Sequence, residues 1–201
     1  MNYYHDLITQ KSWQVLQNLK RKYQFILIGD WAVFLYSQAL KSKDIDLVVD
    51  FEELEKLRKE FEVAKNNRLR KYQVRVEEVE VDIYLPFYSN PGLPAEDLNK
   101  YTTVVEGFVV PKKEVLVVLK MKAVKGRQAS PKGRKDLIDI ISLFRLPDFN
   151  WQSFKSLIVR YRLEDYLNLT KNKISATSSI SELGLNVHKM ARFKRKVLSQ
   201  I

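Results

Sequence analysis

The residues best suited to chemistry in this sequence are aspartates. Asp44 and Asp46 stand two apart in Ser42-Lys43-Asp44-Ile45-Asp46-Leu47-Val48-Val49, where Ile45, Leu47 and Val49 mark one face of a strand and the carboxylates the other. Residues two apart on a strand project the same way from Cα atoms about 6.5–7 Å apart, so both carboxylates reach into one volume. Either Lys41 or Lys43 balances them, or both face water, or they hold a cation. Asp82 lies in a second run of the same kind, with Val79, Val81, Ile83 and Leu85 alternating with Glu80 and Asp82. Three convergent carboxylates form a hard oxygen site suited to Mg²⁺ or Mn²⁺, ions that also keep waters and substrate phosphates as ligands. Two such ions about 3.5–4 Å apart can activate an attacking oxygen and stabilise a leaving pyrophosphate.

About fifteen residues upstream, Gly29 ends the apolar run Tyr23-Gln24-Phe25-Ile26-Leu27-Ile28 where helical spacing begins, from Trp31 to Leu40. A helix start offers free N–H groups and the positive end of its dipole to phosphate. Glycine there also allows a turn with positive φ. Asp30 reads as the N-cap of that helix.

These residues need a scaffold. An amphipathic helix is expected from about Tyr4 to Lys22, carrying Leu7, Trp13, Leu16 and Leu19, and a charged helix over about 52–65. Further strands are expected over 71–77, 79–85 and 102–110, with a loop over 86–94. Pro111 opens a helix that ends near Gly126, a basic loop covers 127–132, and a second helix runs from Lys135 to Phe144 before Pro147. Beyond Trp151 only helices are expected, at about 151–160, 163–169 and 186–199, with a Ser/Thr-rich connector over 175–181. The pattern predicts an α/β (α+β) fold, a mixed sheet flanked by helices over 1–150, with a basic helical C-terminal region over 151–201.

Composition narrows the function. The 201 residues include 45% apolar side chains and only six Gly and six Pro, which excludes disordered and fibrous classes. Zero cysteines exclude thiol catalysis and Cys-ligated zinc, so a metal would sit on carboxylates. No apolar run reaches the ~18–20 residues of a membrane span and the start is polar, so a soluble, cytoplasmic protein is expected. Net charge is +11, suggesting a polyanionic partner. Residues 151–201 contribute +7 of it, from ten basic and three acidic side chains, and the last helix carries Lys189, Arg192, Lys194, Arg195 and Lys196 without an acid. Such a helix can neutralise phosphates of RNA, or its apolar residues Val187, Met190, Phe193 and Val197 can dock it on the main domain.

Ile28-Gly29-Asp30-Trp31-Ala32-Val33, followed by Ser42 to Val49 and by Val81-Asp82-Ile83, resembles the signature of the DNA polymerase beta-like nucleotidyltransferase superfamily. The stretch from Glu106 to Arg127, with Lys135-Asp136-Leu137-Ile138-Asp139, resembles its AbiEii-type, toxin-like branch. The resemblance covers about residues 23–146. It implies a nucleotidyltransferase fold and the transfer of a nucleoside monophosphate from an NTP to a hydroxyl acceptor, with Mg²⁺ or Mn²⁺ as cofactor. RNA such as tRNA is the first acceptor expected, ahead of a protein or a small antibiotic, and a cognate antitoxin is an expected partner. Asp44, Asp46 and Asp82 would hold metal, Asp82 alternatively acting as base, and Asp136 or Asp139 would serve a later acidic motif. Gly29, Asp30, Ser42, Lys120 and Arg127 would meet the nucleotide. Lys120 and Arg127, seven apart, share a helix face, as do Asp136 and Asp139. The sequence departs from the signature at Asp30, where Gly or Ser is usual. A carboxylate there opposes triphosphate binding unless it turns away, and a disabled fold that binds RNA or protein is the alternative function.

Overall fold

The computed structural model describes residues 2–127 and 130–201. Gln128 and Ala129, in the expected basic loop, lie outside the described residues. The first elements are α1 (Asn2–Lys22), β1 (Ile26–Ile28), α2 (Gly29–Ser37), β2 (Ile45–Val48) and α3 (Phe51–Glu60). Next come β3 (Ala64–Asn66), β4 (Lys71–Val76), β5 (Val79–Tyr84) and, after a 3₁₀ turn over Ala95–Tyr101, β6 (Thr102–Val105) and β7 (Phe108–Pro111). The rest is helical: α4 (Lys113–Arg127), α5 (Pro131–Phe144), α6 (Trp151–Tyr161), α7 (Glu164–Ala176) and α8 (Val187–Leu198).

Strands 1–5 form one mixed sheet in the order β1-β2-β5-β4-β3, with β2 and β5 parallel and the other neighbours antiparallel. Alternation works as expected. Leu27, Ile45, Leu47, Val81 and Ile83 are buried on one face, against the core that Val15, Leu16 and Leu19 of α1 help to fill. The opposite face carries the polar side chains. Trp31 fixes α2 to α1: its indole N–H donates to Ser12 Oγ at 2.9 Å, and its ring lies 4.9 Å from that of Trp13.

Several expectations change in detail. The charged helix ends at Glu60, since Phe61 is already extended, and residues 64–66 leave to pair with β4. Asp50 caps it by accepting from the Glu53 N–H at 2.8 Å. The strand expected over 102–110 is a hairpin, because Glu106 and Gly107 both take positive φ, +50° and +72°, as a two-residue turn between twisted strands requires. Asp30 is not an N-cap. The helix begins two residues earlier than that cap would allow, at Gly29, the cap position falls to Ile28, and no side chain caps it.

Helices α4 and α5 pack on each other and on α2, while α6 and α7 pack on α4 and α8 on α7. Ser130 and Pro131 start α5, the hydroxyl accepting from the Gly133 N–H at 3.1 Å. Phe154 is fully buried against Phe144, whose ring stacks on Trp151 at 5.0 Å, so these aromatics are core. On α8, Met190 and Val197 dock inward while Lys189, Arg192, Arg195 and Lys196 face solvent. Val187 stays exposed and Lys194 donates to the Ser175 carbonyl at 3.0 Å.

Glu182, in a 3₁₀ turn before α8, accepts both guanidinium nitrogens of Arg134 on α5, the Nη2 bond being 3.1 Å. This bidentate donor holds the Glu182 carboxyl down to about 2. A depressed carboxyl contributes stability above its unfolded pKa and loses it as pH falls through the folded one. Glu182→Gln should therefore lower the melting temperature by about 2–4 °C at pH 7, for about 1 kcal/mol at this partly exposed site, with the difference fading between about pH 4.5 and pH 2. Thermal unfolding of both proteins across that range checks it.

Candidate active site

The polar face of the sheet is organised in rungs. Ile28, Asp46, Asp82 and Gln73 lie side by side on β1, β2, β5 and β4. Neighbouring strands are about 4.8 Å apart, so parallel pairing of β2 with β5 sets the Asp46 and Asp82 carboxylates next to each other. Asp82 is compensated, accepting from Lys71 Nζ and from Gln73 Nε2 at 3.0 Å. Asp46 receives only the Tyr84 hydroxyl, at a long 3.4 Å, and among the described residues no cation stands within ion-pair distance of it. Burial, then repulsion from Asp82 and Asp30, pushes the Asp46 carboxyl up to about 7.

Gly29 lies against this acid. Its φ is +68°, and a Cβ built on it would fall 2.1 Å from Asp46 Oδ2, so any side chain would displace the carboxylate. The first turn of α2 thereby starts over Asp46. Asp44, just before β2, has a side chain 44% exposed, with Lys132 at 3.6 Å. Ser42 is buried and committed to the turn: its hydroxyl donates to the Asp44 carbonyl at 2.8 Å and accepts the Asp44 N–H at 3.3 Å.

Behind the rung is a second constellation. Lys120 of α4 is 5% exposed and contacts three acids: Asp30 of α2, and Asp136 at 3.0 Å and Asp139 at 2.6 Å of α5. Arg127 reaches Asp136 at 3.1 Å, and Lys135 also binds Asp30. Three carboxylates meet three cations. Burial works against ionising Asp30, but Lys120 and Lys135 outweigh it and hold its pKa well below the usual range. Burial likewise disfavours the Lys120 ammonium, yet Asp139, Asp30 and Asp136 keep its pKa well above the ordinary lysine value. The Asp139 carboxyl is wholly buried with Lys120 as its close partner, and burial, outweighing that cation, pushes it upward.

The structure thus brings Asp46 and Asp82 together beside Gly29, whereas Asp44 lies outside that pair, half exposed and near Lys132. It gathers Asp30, Lys120, Arg127, Asp136 and Asp139 into the adjoining cluster. Lys71, Gln73 and Tyr84 are not among the expected site residues, and Lys135 pairs with Asp30. The alternation Lys71-Tyr72-Gln73-Val74 put Lys71 and Gln73 on one strand face, but the register that aims them at Asp82 lies outside the sequence pattern. Asp46, Asp82 and Asp44 offer only carboxylate oxygens, a donor type that suits a hard ion, and Asp46 lacks a cation within ion-pair distance, but the three do not form a group with ligand atoms within 4.8 Å of one another among the described residues. Asp30, Asp136 and Asp139 bring oxygens within 4.8 Å of one another, but Lys120 already supplies the positive charge there.

No family model and no curated protein matches the sequence. Solved structures do match in shape. ANT(2″)-Ia, in complex with adenylyl-2″-tobramycin, superposes with a TM-score of 0.52 at 15% identity over 78% of this chain and 97% of that one. A putative nucleotidyltransferase from H. pylori gives 0.49 at 16% identity over 97% of both chains. An antigenic nucleotidyltransferase-like protein from Paracoccidioides brasiliensis gives 0.46 at 23% identity over 81% of this chain and 93% of that one. The mixed sheet and its flanking helices form a nucleotidyltransferase-like fold.

Two substitutions probe this geometry. Gly29→Ala should cost more than about 3 kcal/mol, combining a positive-φ penalty with collision against Asp46, and should be read as a fall in denaturant midpoint. Lys120→Met should cost about 3–5 kcal/mol by leaving buried carboxylates without their cation. Adding Asp139→Asn to Lys120→Met should recover part of that loss, which urea unfolding of the three proteins measures.

Proposed function

We propose that this protein is a metal-dependent nucleotidyltransferase that moves a nucleoside monophosphate from an NTP to a hydroxyl acceptor. The observation that carries the reading is the uncompensated Asp46 carboxylate, adjacent to Asp82 and under the Gly29 start of α2. Asp46 and Asp82, joined by Asp44, would hold Mg²⁺ or Mn²⁺. Bound there, such an ion lowers the pKa of an attacking hydroxyl and neutralises a departing pyrophosphate.

The chain's own groups divide the remaining work. The start of α2 offers N–H groups to the triphosphate. Arg127, half exposed and close enough to interact with both Asp46 and Tyr84, is the cation placed to meet it. Lys120 is a positioning residue, since it is fully engaged in holding Asp30 to α5. In the transfer, the acceptor oxygen bonds to the α-phosphorus, the bond from that phosphorus to the β-phosphate bridging oxygen breaks, and pyrophosphate leaves. Where Asp82 serves as base and not as metal ligand, it takes the hydroxyl proton. Positioning and electrostatics supply most of the rate. The exposed cations of α8 favour an RNA acceptor, tRNA being the first choice. The tobramycin adduct held by ANT(2″)-Ia supports a small hydroxylated molecule as second choice. A cognate antitoxin rests on the sequence resemblance alone.

A second reading has one observation in its favour: Lys120 is sequestered by three carboxylates, one of them Asp30. In that reading the fold binds RNA or protein without turnover. Incubation with each α-labelled NTP, Mg²⁺ or Mn²⁺, and total RNA and protein extract decides. Label entering an acceptor, and lost in Asp46→Ala, is expected. Mg²⁺ should also raise the melting temperature of the parent protein but not of Asp46→Asn. No transfer together with no metal-dependent NTP binding overturns the enzyme and leaves the binding module.

A further inference from the structure

A cavity of about 460 Å³ opens at the other end of β1 and β2 from Gly29 and Asp46. That volume is within the range of small-molecule sites, about 300–1,000 Å³. Its walls are the end of α1, the residues entering β1, the end of β2 and the β6–β7 turn. Ile26, Val48 and Val109 contribute apolar residues to the lining, and Gln24 and Asn99 polar ones. Lys20 governs the charge. It is half-buried, its ammonium sits 4.2 Å from the centre of the Phe108 ring, and among the described residues it has no carboxylate within ion-pair distance. The contact with the hairpin is close: a Cβ on Gly107 would lie 2.7 Å from Lys20 Nζ. The one acid in the wall, Asp50, is committed to capping α3, whose N-terminal dipole offsets its charge. Tyr23, 8% exposed, completes the wall, and its hydroxyl makes no well-formed hydrogen bond. A partly desolvated cation held in place by an aromatic face, in a lining with apolar residues, is a receptor for an organic anion.

We propose that this cavity is a ligand site separate from the Asp46 centre, taking a small monocarboxylate with an apolar ring and using Lys20 as its charge partner. The proposal does not depend on the transferase reading. The probes are benzoate, its neutral counterpart benzamide and the cation benzylammonium, each followed by amide ¹H–¹⁵N shifts of the full chain. At about 10 mM, enough to saturate a millimolar site, benzoate should shift Gly107, Phe108 and Val109. It should bind about tenfold or more tighter than benzamide, the worth of one charge-assisted hydrogen bond, and benzylammonium should not compete. Lys20→Met, which keeps the stem on Phe108, should reduce benzoate to the benzamide level, and Lys20→Arg should retain it. Saturating ATP with Mg²⁺ should leave the benzoate shifts in place. Equal binding of benzoate and benzamide, an unchanged affinity in Lys20→Met, or shifts elsewhere in the chain would overturn the proposal. Displacement by ATP would make the cavity part of a nucleotide site and overturn its separateness.

Discussion

The buried ammonium of Lys120 is the contact on which the arrangement of helices depends. Taking a charge from water costs several kcal/mol, and only close partners of opposite sign return it. Here the partners come from two other helices: Asp30 from α2, Asp136 and Asp139 from α5. Apolar packing fixes these helices by shape, and a displaced Lys120 would in addition strand buried charges. Asp30 also neighbours Gly29, and Gly29 touches Asp46. A mechanical line thus runs from α5 through Lys120 and the start of α2 to the acid at the centre of the sheet.

Asp30 gains a different meaning in this setting. Read by its position in the signature, it is a negative charge where phosphate should approach. In the fold, Lys120 and Lys135 neutralise it, so it acts as an internal anion that draws two lysines to the base of α2. The same contact keeps Lys120 buried among acids, whereas Arg127 is the more exposed cation. The two sequence features that seemed to oppose each other, the extra acid and the expected phosphate lysine, are one ion pair.

Much of the sheet could be read from alternation, because a strand with one buried face declares its parity. Val79, Val81 and Ile83 fixed the face of Asp82, and Ile45 and Leu47 fixed that of Asp46. Partner and register are set by tertiary contact and left no local trace, so neither the Lys71 and Gln73 contacts of Asp82 nor the Tyr84 contact of Asp46 could be assigned. Helix spacing correctly put Asp136 with Asp139 and Lys120 with Arg127, but not the crossing angle that makes the two helices meet. The 102–110 run looked like one strand because Glu106, a non-glycine residue, takes a positive φ that its type does not announce. Asp30 looked like a cap because aspartate often is one. The Gly29 turn starts the helix earlier and places that side chain inside it.

Parallel pairing of β2 with β5 has a consequence in time. Asp46 and Asp82 are 36 positions apart, with a helix and two strands between them in the chain. Long-range contacts of this kind close late, after loop entropy has been overcome. By that rule the two acids meet after the local contacts, when apolar burial can offset their repulsion. Until that moment no preformed carboxylate pair exists for a cation to find, so tight metal capture would report completion of the fold and not merely the presence of the chain.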